Sequence, residues 1–231
     1  MPTALQRIVP QTFRIVRHGL VGLALAVLAP AGAMAASITS NFDAGLDGWT
    51  GLAGQTTVSH EATGGQSGGY MRALDIQAGQ GQTSFVIAPS SYLGNLSGFI
   101  GGTLSVAALE DTTNGNPINA NFGTIHISGG GDTAVARLLR PLSARVWRDF
   151  SVDLTASNWT TSSLSFAAIM ANVTDIRLHV DYRGQGNEAV GIDNFAIQST
   201  EVTAPPAVAL FAGAALVLLG RKAGRRAAAS N

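Results

Sequence analysis

The sequence predicts an all-β fold, a two-sheet antiparallel sandwich with one short helix, and an apolar helix at each terminus. Three observations predict the sandwich: about ten short strand-like segments, turn-forming residues between them at regular spacing, and a single internal segment with helical periodicity. With both ends set aside as processing segments, roughly 165 residues remain. That length suits one domain with a sizeable core.

Residues 1–35 are predicted to be a secretory signal peptide. A basic region with three arginines precedes an apolar run over 20–28, and residues 33–35 form a small-x-small cleavage site. We expect cleavage after Ala35. The alternative is an uncleaved membrane anchor, although the apolar run is short for a span of about 20 residues.

Residues 36–200 are predicted to be one β-sandwich domain. A short first strand leads to Phe42, Asp43 and a Gly-rich turn before Trp49, which is expected in the core. Two later strands end at Pro89 and Pro141, because proline cannot donate to a strand ladder. The strand segments after the first are 70–77, 84–88, 103–109, 123–128, 133–140, 147–154, 175–182 and 190–197.

The predicted helix lies just before the last two strands. Ser162 or Ser163 is expected to cap a helix that runs from Ser163 to Asn172, with apolar residues at helical spacing. In the next strand apolar and polar residues alternate, which predicts a half-buried strand. Its predicted buried face consists of Ile176, Leu178, Val180 and Tyr182.

The charge of the chain is unevenly distributed. All 14 acidic residues lie between Asp43 and Glu201, where there are seven arginines and no lysine, so this part carries a formal charge of −7. An acidic body argues against a nucleic-acid partner, which needs a basic footprint, and is compatible with cation binding. The absence of cysteine excludes disulfides, thiol catalysis and thiolate metal sites.

Residues 201–231 form a C-terminal segment with three parts: the motif VTAPPA, an apolar helix over 207–220, and a basic tail. Fourteen helical residues span roughly 21 Å, less than the ~30 Å hydrocarbon core, so the helix is a marginal permanent anchor. The segment resembles the exosortase-dependent PEP-CTERM or VPLPA-CTERM sorting tails of Gram-negative bacteria, although VTAPPA departs from their motif. The resemblance implies export, transient membrane association, an exosortase-type processing enzyme and a cell-surface or exopolysaccharide location. The alternative is an ordinary tail anchor.

Several segments of the domain, taken in order, resemble the laminin B module, also called laminin domain IV. These segments are APSSYLGNLSGFIGGTLS, WRDFSVDL with NW after it, AIMANVTDIRLHVDYR and GIDN. The resemblance implies a jelly-roll-like sandwich related to carbohydrate-binding modules and other galactose-binding-like folds. It does not imply laminin biology, because the cysteine-rich neighbours of those modules are missing.

A structural calcium ion is the predicted cofactor. The stretch NFDAGLDGW, with GGQSGGY after it, is similar to the opening of many carbohydrate-binding jelly rolls. In those folds an acidic residue after the first strand and an Asp in the last strand flank a calcium ion. The resemblance implies side-chain ligands Asp43 and Asp193, with carbonyls of the loop from Gly65 to Gly68 completing the shell. The alternative is that Asp193 accepts hydrogen bonds from backbone amides and Asp43 only shapes its turn.

The residues predict a protein that is not an enzyme. His60, His126 and His179 are isolated in the sequence, and no G-x-S-x-G, H-E-x-x-H or Walker motif occurs. The three glycines at 129–131 lack the Lys-Ser/Thr of a phosphate loop and are interpreted as a turn.

Carbohydrate or matrix binding is the predicted function. Sugar recognition uses aromatic surfaces with a few placed polar groups, and the candidates are Trp147, Trp159, Tyr92 and Tyr182. For each of them, packing in the core is the favoured alternative. A purely structural matrix protein without a small ligand is the second hypothesis, and a glycan-active hydrolase is the third.

Overall fold

The computed structural model describes residues 35–76, 83–184 and 186–200. All of them belong to one compact unit, Gly32–Pro206. The predicted apolar helices at both termini, the C-terminal motif and the basic tail lie outside the described residues. Among the residues that are described, no helix is both long enough and apolar enough to cross a membrane.

The described residues form eleven strands, one α-helix and three short 3₁₀ helices. The strands are β1 (Ser37–Ser40), β2 (Thr50–Gly51), β3 (Thr56–Glu61), β4 (Tyr70–Asp75), β5 (Phe85–Ile87), β6 (Thr103–Thr112), β7 (Thr124–Gly129), β8 (Asp132–Arg137), β9 (Arg148–Asp153), β10 (Val173–His179) and β11 (Ala189–Gln198). The helix α1 is Phe166–Met170, and the 3₁₀ helices are Ser90–Tyr92, Ser97–Phe99 and Ala156–Asn158.

The strands form two antiparallel sheets. The six-stranded sheet has the order β3-β4-β11-β6-β9, with β1 as a sixth strand paired to β11, and the five-stranded sheet has the order β2-β5-β10-β7-β8. Strand β11 pairs with β6 on one side; on the other side its first half pairs with β4 and its second half with β1. The predicted two-sheet sandwich with one short helix is therefore confirmed.

The core lies between the two sheets and is filled by apolar side chains. Strand β11 shows how the sequence builds it: Val190, Ile192, Phe195 and Ile197 all have buried side chains in this core. The spacing changes between Ile192 and Phe195 because the pairing with β6 is irregular there, and Asn194 has a positive φ of 50°. This β-bulge adds one residue to β11 between Asp193 and Ala196.

The helix differs from the prediction. It begins at Phe166, and its N-cap is Ser165, whose hydroxyl oxygen accepts a hydrogen bond from the Ala168 backbone N–H at 3.2 Å. The predicted caps Ser162 and Ser163 instead donate their backbone N–H groups to the Asp132 carboxylate. Both serines therefore lie before the helix, where the Asp132 carboxylate holds their backbone.

The strand 175–182 is also more buried than predicted. The four apolar residues of the predicted face are buried as expected, but His179 and Asp181 on the opposite face are buried too. The Phe85 ring contacts His179, and the Asn119 side chain donates to Asp181 at 2.7 Å. Neighbouring segments therefore cover both faces at this end of the strand.

Candidate functional site

A Gly-rich loop after β3 holds the carboxylate of Asp193. The side chain of Asp193 is fully buried, and its Oδ2 accepts hydrogen bonds from the backbone N–H groups of Gln66 at 2.8 Å and Ser67 at 3.3 Å. Its Oδ1 accepts the N–H of Asn194 at 2.7 Å. The loop is closed by the Gly65 N–H, which donates to the Gly68 carbonyl at 3.0 Å.

Asp43 approaches the same loop from the other side. A Cβ atom added at Gly68 would lie 2.0 Å from Asp43 Oδ1, and one added at Gly65 would lie 2.9 Å from Asp193 Oδ2. Glycine is therefore required at Gly68, which has a positive φ of 72° and contacts Asp43, and at Gly65, where an added Cβ would lie only 2.2 Å from the Gly69 carbonyl oxygen. The structure thus brings Asp43, Asp193, Gly65 and Gly68 into one site.

The electrostatics of this site favour a cation, but the loop geometry only partly does. Burial raises the pKa of Asp193 and the Asp43 charge adds to the rise, while the three backbone hydrogen bonds act against it. A cation between the carboxylates would remove this repulsion. However, the loop points the N–H groups of Gln66 and Ser67 at Asp193, which are donors and cannot bind a metal. The two carboxylates fit the predicted calcium ion. The two amides fit the alternative, in which Asp193 accepts hydrogen bonds from backbone amides.

Three of the four aromatic residues proposed as ligand contacts lie in the core. The hydroxyl of Tyr92 lies 3.1 Å from both Ser40 Oγ and the Phe195 carbonyl oxygen, and burial raises the pKa of Tyr92 to about 12. Tyr182 donates its hydroxyl to the Leu142 carbonyl at 3.2 Å. Trp159 is 6% exposed and stacks on the ring of Phe166.

Trp147 is the only one of these four that is partly exposed. Its indole N–H donates to the Gly64 carbonyl at 2.9 Å, and its ring packs edge-on against Tyr70 with centroids 5.4 Å apart. Trp147 therefore stabilises the Gly-rich loop through this hydrogen bond.

Each sheet carries an open cleft. The first, here the six-strand cleft, has a volume of about 330 Å³. It is lined by Thr39, Ser40, Asn41, Ser105, Val106, Ala107, Asp149, Phe150, Asn194, Ala196 and Gln198. It therefore includes Asn194, the residue after Asp193.

The second, here the five-strand cleft, has a volume of about 260 Å³. It is lined by Thr83, Phe85, Asn121, Thr124, His126, Val135 and His179. The Phe85 ring packs edge-on against both histidines, with centroid distances of 5.2 Å to His126 and 4.9 Å to His179. The cleft thus combines an aromatic centre with polar groups around it.

His179 has unused hydrogen-bonding capacity beneath the five-strand cleft. It is 1% exposed, and neither ring nitrogen has a hydrogen-bond partner among the described residues. Burial lowers the pKa of His179 to about 4, so the ring is neutral at pH 7 and offers one donor and one acceptor. His126, in contrast, lies within hydrogen-bonding distance of the Thr124 hydroxyl at 3.1 Å.

Sequence reasoning missed this cleft because it treated the histidines as isolated. Both lie on the polar positions of alternating segments, which was the available signal. Only the strand order β5-β10-β7 brings Phe85, His179 and His126 together. That order follows from the packing of the whole sheet and not from local sequence.

Comparison with known proteins places the fold and the family. The family 11 carbohydrate-binding module of a cellulosomal cellulase from Clostridium thermocellum matches with a TM-score of 0.50 and 14% identity, covering 72% of this chain and 96% of that module. The L4b domain of human laminin alpha-2 matches with a TM-score of 0.42 and 15% identity, covering 52% of this chain and 71% of that domain. The match to the carbohydrate-binding module shows that the chain has a β-sandwich fold of that type.

The family model Laminin B (Domain IV) matches residues 85–210. The chain therefore belongs to the laminin B (domain IV) family. No curated protein matches it.

Proposed function

We propose that this protein is a non-enzymatic, exported domain that binds carbohydrate at the cell surface or in exopolysaccharide. The observation that carries the proposal is the five-strand cleft, with the ring of Phe85 between two histidines. The fold it shares with a carbohydrate-binding module supports the same class of ligand.

The chemistry of the five-strand cleft suits a sugar. A sugar ring presents an apolar face of C–H groups and a rim of hydroxyl groups, and binding sites pair an aromatic surface with a few placed polar groups. Here Phe85 supplies the aromatic surface, and the half-buried ring of His126 supplies a polar group that hydroxyl groups can reach. Asn121 and Thr124 add polar side chains at the rim.

Binding to polysaccharides tests this proposal directly. Affinity electrophoresis of the full-length protein through gels that contain single polysaccharides is expected to show retardation by at least one polymer. Phe85→Ala and His126→Phe should reduce that retardation at least tenfold. Phe150→Ala is the matched control, because it removes a phenylalanine from the six-strand cleft instead, and it should bind as the wild type does.

Two results would overturn the five-strand cleft as the binding site: unchanged retardation of Phe85→Ala, or loss of retardation in Phe150→Ala. If the wild type is not retarded by any polymer in a broad panel, the carbohydrate proposal fails. The second hypothesis, a structural matrix protein without a small ligand, then applies.

The cofactor we propose is one structural calcium ion held by Asp43 and Asp193. Two carboxylates that face one Gly-rich loop support it, and the ion would tie the turn after β1 to β11. Asp193→Asn should lower the number of calcium ions bound per chain by one and reduce the thermal stabilisation by calcium. If this variant binds as many calcium ions per chain as the wild type, Asp193 is held by the backbone amides alone and is not a calcium ligand.

We further propose that both termini are processed during export from a Gram-negative cell, with an exosortase-type enzyme acting at the C-terminal segment. The support is the order of charged and apolar segments at the two ends, around an acidic middle. Mass spectrometry of the mature protein should find it to begin near Ala36 and to lack residues 221–231. Mature protein that retains the basic tail would instead indicate a tail anchor.

A further inference from the structure

Three buried acidic side chains meet at one end of the sandwich. Asp75 is the last residue of β4, Asp181 follows β10, and Glu188 precedes β11. One carboxylate oxygen of each lies within 4.8 Å of the other two, and the residues are 5%, 4% and 1% exposed. Backbone hydrogen bonds fix two of the segments to each other: the Asp75 N–H donates to the Glu188 carbonyl at 3.0 Å, and the Asn187 N–H donates to the Asp75 carbonyl at 2.9 Å.

Asp181 carries a buried oxygen with no hydrogen bond. Its Oδ2 accepts from the Asn119 side-chain amide at 2.7 Å, whereas its Oδ1 has no partner within the described part of the chain. Buried polar atoms are almost always satisfied, and an unsatisfied one costs free energy. This oxygen therefore points either to a cation bound by the cluster or to a proton shared with Glu188.

Glu188 is oriented by neighbouring donors and has no basic side chain bonded to it. Its Oε1 accepts the Arg183 backbone N–H at 3.2 Å, and its Oε2 accepts from the Asn114 side-chain amide at 3.1 Å. The Arg183 guanidinium instead donates to Glu110 at 2.6 Å and to the Asn116 carbonyl at 2.7 Å. The nearby cationic side chain is therefore already engaged elsewhere.

The charges in the cluster repel one another. Burial raises the pKa of Asp181 to about 6 and that of Glu188 to about 7, and the Asp75 charge contributes to both increases. Such a group of carboxylates becomes stable in the ionised form when a cation is bound between them, or loses charge by holding a shared proton.

We infer that Asp75, Asp181 and Glu188 form a binding site for a divalent cation, calcium, separate from the site at Asp43 and Asp193. Calcium takes six to eight oxygen ligands at roughly 2.3 to 2.6 Å. Two oxygens on opposite sides of one calcium ion are therefore about 4.8 Å apart, so all three carboxylates fit in one coordination sphere. The remaining positions would be taken by water or carbonyl oxygens.

The position of the site gives the ion a structural role. Asp75 ends β4 and Glu188 directly precedes β11, the neighbouring strand of the six-stranded sheet, whereas Asp181 follows β10, the central strand of the five-stranded sheet. An ion bound by all three joins the two sheets at this end of the sandwich. The proposed ion at Asp43 and Asp193 would instead join the turn after β1 to β11.

Calcium titration of variants tests the site. The full-length protein, stripped of metal with EDTA, is titrated with calcium by isothermal titration calorimetry, and its thermal unfolding is measured with calcium and with EDTA. Asp181→Asn and Glu188→Gln preserve side-chain size and should each bind one calcium ion fewer per chain than the wild type. The double variant Asp43→Asn/Asp193→Asn is the matched control and should still bind calcium and melt at a higher temperature with it.

Two outcomes would overturn the inference: a control variant that no longer responds to calcium, or wild-type stoichiometry in both Asp181→Asn and Glu188→Gln. If the carboxylates share a proton instead of binding calcium, Asp181→Asn and Glu188→Gln should both melt at a higher temperature than the wild type in EDTA. Calcium should then have no effect on the control variant, and this result would also overturn the inference. Near-ultraviolet circular dichroism checks that each variant is folded. If Asp181→Asn does not fold, Glu188→Gln decides the question, because its amide oxygen can still accept from Arg183.

Discussion

The carboxylate of Asp132, at the start of β8, accepts a hydrogen bond from the backbone N–H of Leu164 at 2.7 Å. The same Oδ2 atom also accepts the N–H groups of Ser162 and Ser163, and Oδ1 accepts the N–H of Thr133. One side chain therefore fixes the approach to α1 against the β7–β8 hairpin. Asp132 and Leu164 are thus in direct contact although they are 32 positions apart in the sequence.

These hydrogen bonds make stability depend on pH. The backbone N–H groups of Leu164, Ser163 and Thr133 hold the pKa of Asp132 well below its ordinary value of 3.8. A carboxyl whose pKa is lowered by folding adds stability above its unfolded pKa, and this stability is lost as the pH falls through the folded pKa. We expect Asp132→Asn to lower the urea midpoint at pH 7 and to show a much smaller difference from the wild type at pH 2.

Urea titrations between pH 2 and 7 measure this effect. Asp149→Asn is the control, because Asp149 is exposed and accepts a side-chain hydrogen bond from Gln66. Its urea midpoint should stay close to that of the wild type. An Asp132→Asn variant as stable as the wild type at pH 7 would contradict the prediction.

Gly68→Ala should destabilise the fold more than Gly54→Ala does. Both glycines have φ of +72°, so alanine at either position adopts the left-handed conformation, which costs roughly 1 to 2 kcal/mol. At Gly68 the new Cβ would also lie 2.0 Å from Asp43 Oδ1, whereas at Gly54 nothing lies within 4 Å. We expect an additional loss of at least about 1 kcal/mol at Gly68, measured by urea unfolding in EDTA. Equal losses would show that Asp43 moves away freely.

Tyr182→Phe should cost about 1 to 3 kcal/mol of unfolding free energy. The Tyr182 hydroxyl accepts the Leu142 N–H at 3.1 Å and donates to the Leu142 carbonyl at 3.2 Å. Phenylalanine keeps the ring and leaves both buried backbone groups unsatisfied. Denaturant unfolding of the variant measures the loss, and a loss below about 0.5 kcal/mol would mean that water replaces the hydroxyl.

Glu110→Gln should be more destabilising than Asp175→Asn. Glu110 accepts from Arg183 Nε at 2.6 Å with side chains 4% and 20% exposed, whereas Asp175 accepts from Arg177 Nε at 2.5 Å with side chains 25% and 40% exposed. Breaking a buried pair leaves an unpaired charge, so we expect a loss of about 2 kcal/mol for Glu110→Gln. For the exposed pair we expect less than about 1 kcal/mol. Urea unfolding of both variants compares them, and similar losses would contradict the burial argument.

The sequence predicted the sandwich because strand alternation and turn residues are local signals. It did not predict β3, since TTVSHE contains a single large apolar residue and forms a strand only by pairing with β4. It placed the start of the helix too early, because the serines at 162 and 163 are good caps in isolation. The Asp132 carboxylate that binds their amides is not visible in local sequence.

The candidate sites, too, could be predicted from local sequence only in part. Asp193 could be singled out because it is a carboxylate in an apolar segment, and the Gly-rich loop is visible as composition. Asp181 was assigned to an exposed face by alternation, and it is buried because Asn119, from the loop after β6, covers it. Whether a tyrosine faces a cleft or the core is likewise decided by packing, as Tyr92 and Tyr182 show.

The pairing of β11 with β1, β4 and β6 has a consequence for the order of folding. The six-stranded sheet cannot form completely until β11, the last strand of the domain, is available. Ser37 of β1 pairs with Gln198 of β11, and β4 pairs with the first half of β11. Contacts between residues so far apart slow folding, because the intervening chain must be ordered first. We therefore expect the domain to stay unfolded while it is being synthesised and to fold in a single late step once β11 is free.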